Sequence, residues 1–334
     1  PLQLSFDLSE GRLDGRLGDR FGVRWRALDG GASGQGLAWL GRPSDVWPRG
    51  PGWRLTGYQP RLPVADWARA LSPLVDRGSR DRAGRAAPAA LSSLALRTDC
   101  LQVQSRCLGS LSVEGGARGG GLELDVSGSL ARGRLSYRPA LGEPMDIALD
   151  RLALDALLTP STGGGKLLDE LDVPPEAAPL PEGLEAVPDG RLRIDEIAWQ
   201  GQRLGPFNGR WRTAADRLVV DPVGLTLGQI SAHGNLVWEA SGGDSLTRAR
   251  LDLDGGDLGS ALAVLGQPVA VRSAETRVKS QLAWPGAPWQ FALSRSRGSL
   301  EVALRDGRFV NIESPSARVV GLLNVDNLLR RLRL

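Results

Sequence analysis

The sequence predicts a mainly-β protein organised as one long, twisted antiparallel sheet, and three observations carry that reading. Apolar residues recur at every second position in most segments, as a half-buried strand requires. Forty-four glycines and 22 prolines are spread evenly over 334 residues, which suits many short elements joined by turns. A stretch beginning at Leu96 returns at Leu192, so the sheet grows by repetition.

Taken in order, the first approximate repeat unit, 1–75, reads as the end of an earlier copy. It closes on "LPVADWARALSPL", which sets Val64, Trp67, Ala68 and Leu71 on one helix face. A Pro/Gly/Ala-rich linker over 76–93 opens the second unit, 76–160. There "GLELDVSG" aligns Leu122, Leu124 and Val126, Leu135 joins the same face from the next strand, and "MDIALDRL" aligns Met145, Ile147 and Leu149. "LDALL" near 154–158 is at most a turn or two of helix. A second linker, 159–190, leads into the third unit, 161–267, where "ARLDLD" aligns Ala249, Leu251 and Leu253. Asp257 is placed to cap a helix over "GGDLGSALAVLG", which Gly266 stops.

The last unit, 268–334, holds the clearest hairpin signal. Leu300, Val302 and Leu304 alternate into Asp306-Gly307, a type I′ pair, which sets Leu304 opposite Phe309. Ser314-Pro315 then starts a helical region that runs to about Arg331 and breaks near Asn324. In all, about 15 to 20 strands meet these criteria.

The two copies, "LRTDCLQVQSRCLG" and "LRIDEIAWQGQRLG", differ where the first carries the only cysteines of the chain. A motif that persists without them is a structural unit first. Gln200-Gly201, and Gln104-Ser105 at the same place, read as the turn of a hairpin. Folding there puts Cys100 and Cys107 on adjoining strands, diagonal on one face, or directly opposite if the turn is centred one residue earlier. In an oxidising compartment they form a disulfide staple across the hairpin; in a reducing one they stay two buried thiols.

Composition excludes several functions. The basic excess is almost all arginine, with only Lys166 and Lys279 as lysines, and the arginines alternate with acids instead of forming a stripe. That is a poor nucleic-acid platform, and no nucleic-acid partner is expected. No run of 18 apolar residues exists to span a membrane as a helix. No signal peptide opens the chain, which begins and ends in mid-pattern and reads as a piece of a longer protein. The single histidine, His233, has no G-x-S-x-G nucleophile elbow beside it. "GGASGQG" and "GARGGG" do not lead into helices as phosphate loops do. "DLDGGD" lacks the closing glutamate of a calcium loop. No carboxylate pair stands out for glycoside hydrolysis. Trp25, Trp53, Trp199, Trp211, Trp238 and Trp284 stand at strand positions beside apolar neighbours, which suits packing or an interface better than a carbohydrate platform. No enzyme, metal or cofactor is expected.

So many amphipathic strands make one continuous apolar face, about 26 Å wide for strands of about 8 residues. Two or three short helices cannot cover it. Either the sheet closes on itself as a sandwich or barrel, or it curls into an open hydrophobic groove filled by something else. The repeat favours the groove, because stacked units extend a sheet without closing it. The expected floor is Leu122, Leu124, Val126, Leu135, Ile147, Leu149, Leu251, Leu253, Leu300, Val302, Leu304 and Phe309. In the C-terminal helix, Val319, Leu322, Leu323, Val325, Leu328 and Leu329 exceed the apolar face a surface helix needs. It either plugs the groove end, with Arg330 and Arg331 at the wet rim, or merely covers the last strands.

Three runs sharpen this: "LRIDEIAWQGQRLGPFNGRW", "DLGSALAVLGQPVAVRSAETRVKSQLAWPGAPWQF" and "GSLEVALRDGRFVNIESPSARVVGLLNVDNLLRRL". Together they resemble the C-terminal region of YhdP-type proteins of the AsmA-like superfamily. The last is the most specific, with its strand, Asp-Gly-Arg-Phe turn and Leu-Leu helix ending in Arg-Arg-Leu. The similarity covers most of the chain in order and weakens before residue 50. It implies a taco-shaped β-groove in an inner-membrane-anchored protein of the Gram-negative periplasm, its anchor outside this chain. Phospholipid would pass along the groove between inner and outer membranes, with acyl chains as the direct partner and envelope proteins as further ones. No catalytic residue or cofactor comes with the family, and Cys100 and Cys107 are not part of its pattern. The alternative is a scaffold or assembly factor for outer-membrane proteins that uses its sheet edge for strand addition.

Overall fold

The computed structural model describes residues 2–7, 11–28, 33–63, 91–103, 106–157, 176–181, 183–199, 201–265 and 267–310. The predicted helices at 64–71 and after Ser314 lie outside these residues. The chain divides into two compact units, Pro1–Glu143 and Pro144–Leu334.

In the first unit the strands are β1 (Leu2–Asp7), β2 (Arg12–Leu17), β3 (Phe21–Leu28), β4 (Ser33–Leu40), β5 (Gly52–Pro63), β6 (Leu91–Val103), β7 (Arg106–Cys107), β8 (Leu111–Arg118), β9 (Gly121–Ser127) and β10 (Ala131–Tyr137). They pair mostly in sequence order from β1 to β10, with β7 folded back on β6 and β8 returning to pair with β6 as well.

The second unit holds β11 (Met145–Ala153), α1 (Leu154–Leu157), β12 (Gly190–Trp199), β13 (Gln202–Leu204), β14 (Phe207–Ala214), β15 (Arg217–Leu227), β16 (Ile230–Ser241) and β17 (Asp244–Gly255). After these come α2 (Leu258–Val264), β18 (Val271–Arg272), β19 (Glu275–Pro285), β20 (Arg297–Arg305) and β21 (Arg308–Phe309). Its main ladder runs β11–β12–β14–β15–β16–β17–β19–β20. In neither unit do the first and last strands of the ladder pair with each other, so neither sheet closes into a barrel. The fold class is as predicted: mainly β, an open and mostly antiparallel sheet, few and short helices.

Three junctions depart from the antiparallel expectation: β4–β5, β5–β6 and β11–β12 are parallel. Parallel neighbours need a crossover in place of a hairpin, and each junction coincides with a long connection, 41–51, 64–90 or 154–189. The long connections at these three places therefore join parallel neighbours instead of closing hairpins. The first of them covers the sheet face it crosses. Gln35 donates to the carbonyl of Pro48 at 2.9 Å, Arg26 lies over the Trp47 ring at 4.3 Å, and beneath them Leu37 and Trp39 are buried.

The Asp306-Gly307 hairpin is a second correction. Leu304 pairs with Thr276 of β19, while Phe309 pairs with Val271 in a separate two-stranded ladder. Only Asp306 has a positive φ, +50°, whereas a type I′ turn needs two such residues. The chain leaves the main sheet there instead of doubling back along it. α2 does form where predicted, with the Asp257 carboxylate accepting from the Gly259 N–H at 3.0 Å as N-cap.

The repeat is real in three dimensions. β6, β7 and β8 reproduce β12, β13 and β14: a strand runs parallel to its predecessor, pairs with a short antiparallel return strand, and pairs again with the strand after that. Val103 faces Arg106 in one copy, and Trp199 faces Gln202 in the other. Cys107 lies opposite Gln102, two residues from Cys100, which is the diagonal arrangement. The two cysteines are disulfide-bonded, with Cα atoms 5.2 Å apart.

Candidate functional site

Strand register decides which side chains share a face, because alternate residues point to opposite sides of a sheet. In the second unit one row across the ladder reads Ile147, Leu192, Gly209, Val223, Gly234, Leu251, Ser280, Leu300. The next reads Leu149, Ile194, Phe207, Leu225, Ala232, Leu253, Val278, Val302. Leu304 follows beside Thr276 on the same face. In the first unit Leu135, Leu124, Gly115, Leu94, Leu55, Ala38, Val23, Gly15 and Leu4 form one row. Val126 begins the adjacent row through Val113, Leu96, Gly57, Leu40, Phe21 and Leu17, and Leu122 stands beside Tyr137. No row carries a charge. Eleven of the twelve floor residues read from the sequence thus lie on an apolar face of their own unit, and all eleven are half-buried. Phe309 does not: it sits on β21 and is 54% exposed.

Half-burial is the informative quantity. A sandwich core would remove these side chains from water; these eleven keep partial contact with it, although neighbours in the same rows, Ile194, Ala232 and Val278 in the second unit and Leu40 and Leu55 in the first, are buried. The few polar groups on the face are silenced locally. Ser280 donates to the Leu251 carbonyl at 3.0 Å and Thr276 to that of Gly256 at 2.8 Å. Their hydroxyls are satisfied by backbone, so the face offers mostly carbon to a ligand.

On β9 and β10, and on β11 and β12, the opposite face is a lattice of opposite charges, whereas on β4 that face buries Leu37 and Trp39 under the 41–51 crossover. Arg134 pairs with Asp125 at 3.0 Å, Arg191 with Asp146 at 3.1 Å, and Glu196 lies between Arg151 and Arg203 at 3.6 and 3.5 Å. These pairs are largely exposed and each adds little stability. What they do is keep one face wet while the other avoids water.

Both rims of the second unit's sheet are built up, which turns its face into a trough. At one rim α2 lies on it, with Ala261 buried against Ile194, Ile197, Leu204, Leu227 and Ile230. Asp257 anchors that helix. Burial alone would push its carboxyl up, but the N–H groups of Ser273 and Gly259 and the Arg272 guanidinium, 3.0 Å away, hold it below the ordinary aspartate range. At the other rim the indoles of Trp211, Trp238 and Trp284 donate to the Pro188 carbonyl, Ser245 Oγ and the Ala287 carbonyl at 2.8, 2.7 and 3.0 Å. The linker 176–189 is tied down here too, with Gln290 bonded to both Glu176 and Ala178 at 2.8 Å.

Sequence reasoning missed that strap, and it missed how the tryptophans are seated. Trp25 and Trp53 stack 5.6 Å apart across Gly36, where a Cβ would come within 2.2 Å of Trp53. Trp211 likewise lies over Gly190. A glycine on the neighbouring strand is the signal that could have revealed both: it is the socket for the ring.

Among the described residues no group of histidine, cysteine or acidic side chains could hold a metal ion, and none of their helices is long and apolar enough to cross a membrane. His233 is exposed on the charged face opposite Asp252. A family model described as "YhdP protein" matches residues 1–334, so the chain belongs to that family, which at the family level suggests lipid transport. No curated protein and no solved structure matches the chain.

Proposed function

We propose that this YhdP-family chain carries phospholipid between the inner and outer membranes, without catalysis, as the periplasmic part of an inner-membrane-anchored protein. The single observation behind the reading is the pair of uncharged, half-buried side-chain faces. Leaving that much carbon facing water costs about 25 cal/mol per Å² relative to covering it. Acyl chains are a cover that can slide, because contact with them is non-directional and needs no hydrogen bonds. The charged face and the open edges leave room for headgroups to stay wet.

Lipid extraction and mass spectrometry of the purified protein test this directly. Photo-crosslinkers at Leu251 and Leu124 should capture phospholipid, whereas the same probes at Arg250 and Asp125 on the charged faces should not. Leu251→Asp should keep the fold, since its carboxylate can find water once lipid leaves, yet lose the bound lipid. Equal labelling of both faces, or a protein that comes free of lipid and takes none up from vesicles, would end the proposal.

A further inference from the structure

The excursion between β19 and β20, residues 286–296, folds over the apolar face at the tryptophan rim. Trp289 meets Trp238 edge-on at 5.3 Å, and Phe291 meets Trp284 at 5.0 Å. Two of its side chains are out of keeping with a mere cover. Trp211, Trp238 and Trp284 have their indole N–H groups bonded to protein, but Trp289 makes no such bond among the described residues and is 60% exposed. Arg295, four residues after Phe291, holds its Nη1 buried and with no acceptor among the described residues. A buried polar nitrogen without a partner is uncommon and costs stability. On a guanidinium, it calls for an anionic oxygen.

We propose that residues 286–296 form a headgroup site, in which Arg295 donates to the phosphate of a phospholipid and Trp289 lies along the top of its acyl chains. The inference rests on the groove reading and names where along the groove a headgroup is held. An anion alone would explain Arg295 but not an exposed indole above an apolar face. An apolar ligand alone would explain Trp289 but leave the guanidinium orphaned. An amphiphile with a phosphate at its head satisfies both.

The test uses the whole chain and three probes: diheptanoyl phosphatidylglycerol below its micelle concentration, the corresponding diheptanoylglycerol without phosphate, and inorganic phosphate. Arg295→Gln should weaken the phospholipid about tenfold, as loss of one hydrogen bond to a charged group implies, and leave the phosphate-free glyceride unaffected. Arg295→Lys should recover part of the loss. Trp289→Ala, at an exposed position with little bearing on folding, should weaken both lipids several-fold and so serves if Arg295→Gln unfolds. If wild type binds the lipids and neither variant changes that, the headgroup site is wrong and the groove stands. If wild type binds neither lipid, both readings fall. Inorganic phosphate bound as tightly as the phospholipid, and lost in Arg295→Gln, would mark a free-phosphate site and also overturn the inference.

Discussion

The two copies of the repeat solve one mechanical problem with different chemistry. In the copy built from β6, β7 and β8, a disulfide joins Cys100 to Cys107 across the short hairpin. In the copy built from β12, β13 and β14, the same two places, 96 positions on, hold Glu196 and Arg203, ion-paired at 3.5 Å. Around them the plan is shared: Leu108 and Leu204 turn inward and are buried, and Gly109 and Gly205 both take positive φ. The hairpin follows a parallel junction, and its return strand is only two or three residues long. So few ladder bonds are a weak hold, and a cross-strand link on the outside supplements them. The link is general; its chemistry is not.

The cores beneath the hairpins differ as well. Ile194 and Ile197 are both buried under α2, three residues apart, so strict alternation breaks between them. Thr98, the counterpart of Ile194, is buried too, but its hydroxyl is spent on the Cys100 backbone, donating to the carbonyl at 3.0 Å. The later copy thus relies on apolar packing under a helix, and the earlier one on local hydrogen bonds and a covalent staple.

The largest effect should come from the packed copy. Ile194→Asp places an unpaired charge in a site that is 3% exposed, which should cost on the order of 3–5 kcal/mol and unfold the second unit in urea titration. Leu124→Asp, on the open face of the first unit, should leave the unfolding midpoint near that of wild type. Equal destabilisation of both would mean that the open face is a closed core after all.

Next comes the staple. Replacing both cysteines by serine should cost about 2–3 kcal/mol, the expectation for a short closed loop; thermal melts with and without reductant would show it. The revealing variant is Cys100→Glu with Cys107→Arg, which imports the other copy's link. It should recover under 1 kcal/mol of the loss and make stability independent of reductant. A double variant no better than the serine pair would show that the two hairpins are not equivalent.

Asp257→Ala removes the cap of α2 and should cost about 1 kcal/mol, loosening only the copy that the helix covers. The pH dependence has a definite sign. The folded carboxyl lies below its unfolded value, so its contribution is present at neutral pH and is lost as pH falls through the folded value. Asp257→Asn, which can still accept from Gly259, should flatten that acid limb in melts followed across the aspartate range. The smallest change belongs to Glu196→Gln, an exposed pair worth 0–1 kcal/mol by the usual measure, about what a careful melt resolves.

Alternation by itself determined the strands and the apolar face of each, and the helix start signal determined the Asp257 cap, because these depend on neighbours two to four residues away. The 96-residue echo placed the hairpins and put the two cysteines on adjoining strands, but the diagonal arrangement was decided only by the pairing of Gln102 with Cys107. Parallel junctions were not legible: whether a Pro-rich linker crosses over or loops back depends on which edge its next strand finds. Phe309 was misplaced for that reason, since Val271, distant in sequence, outcompetes β20 for its strand. The buried row under α2, the strap held by Gln290 and the orphaned Arg295 nitrogen also required the tertiary structure. Burial and hydrogen-bond satisfaction are set by residues tens of positions apart, and no local pattern encodes them.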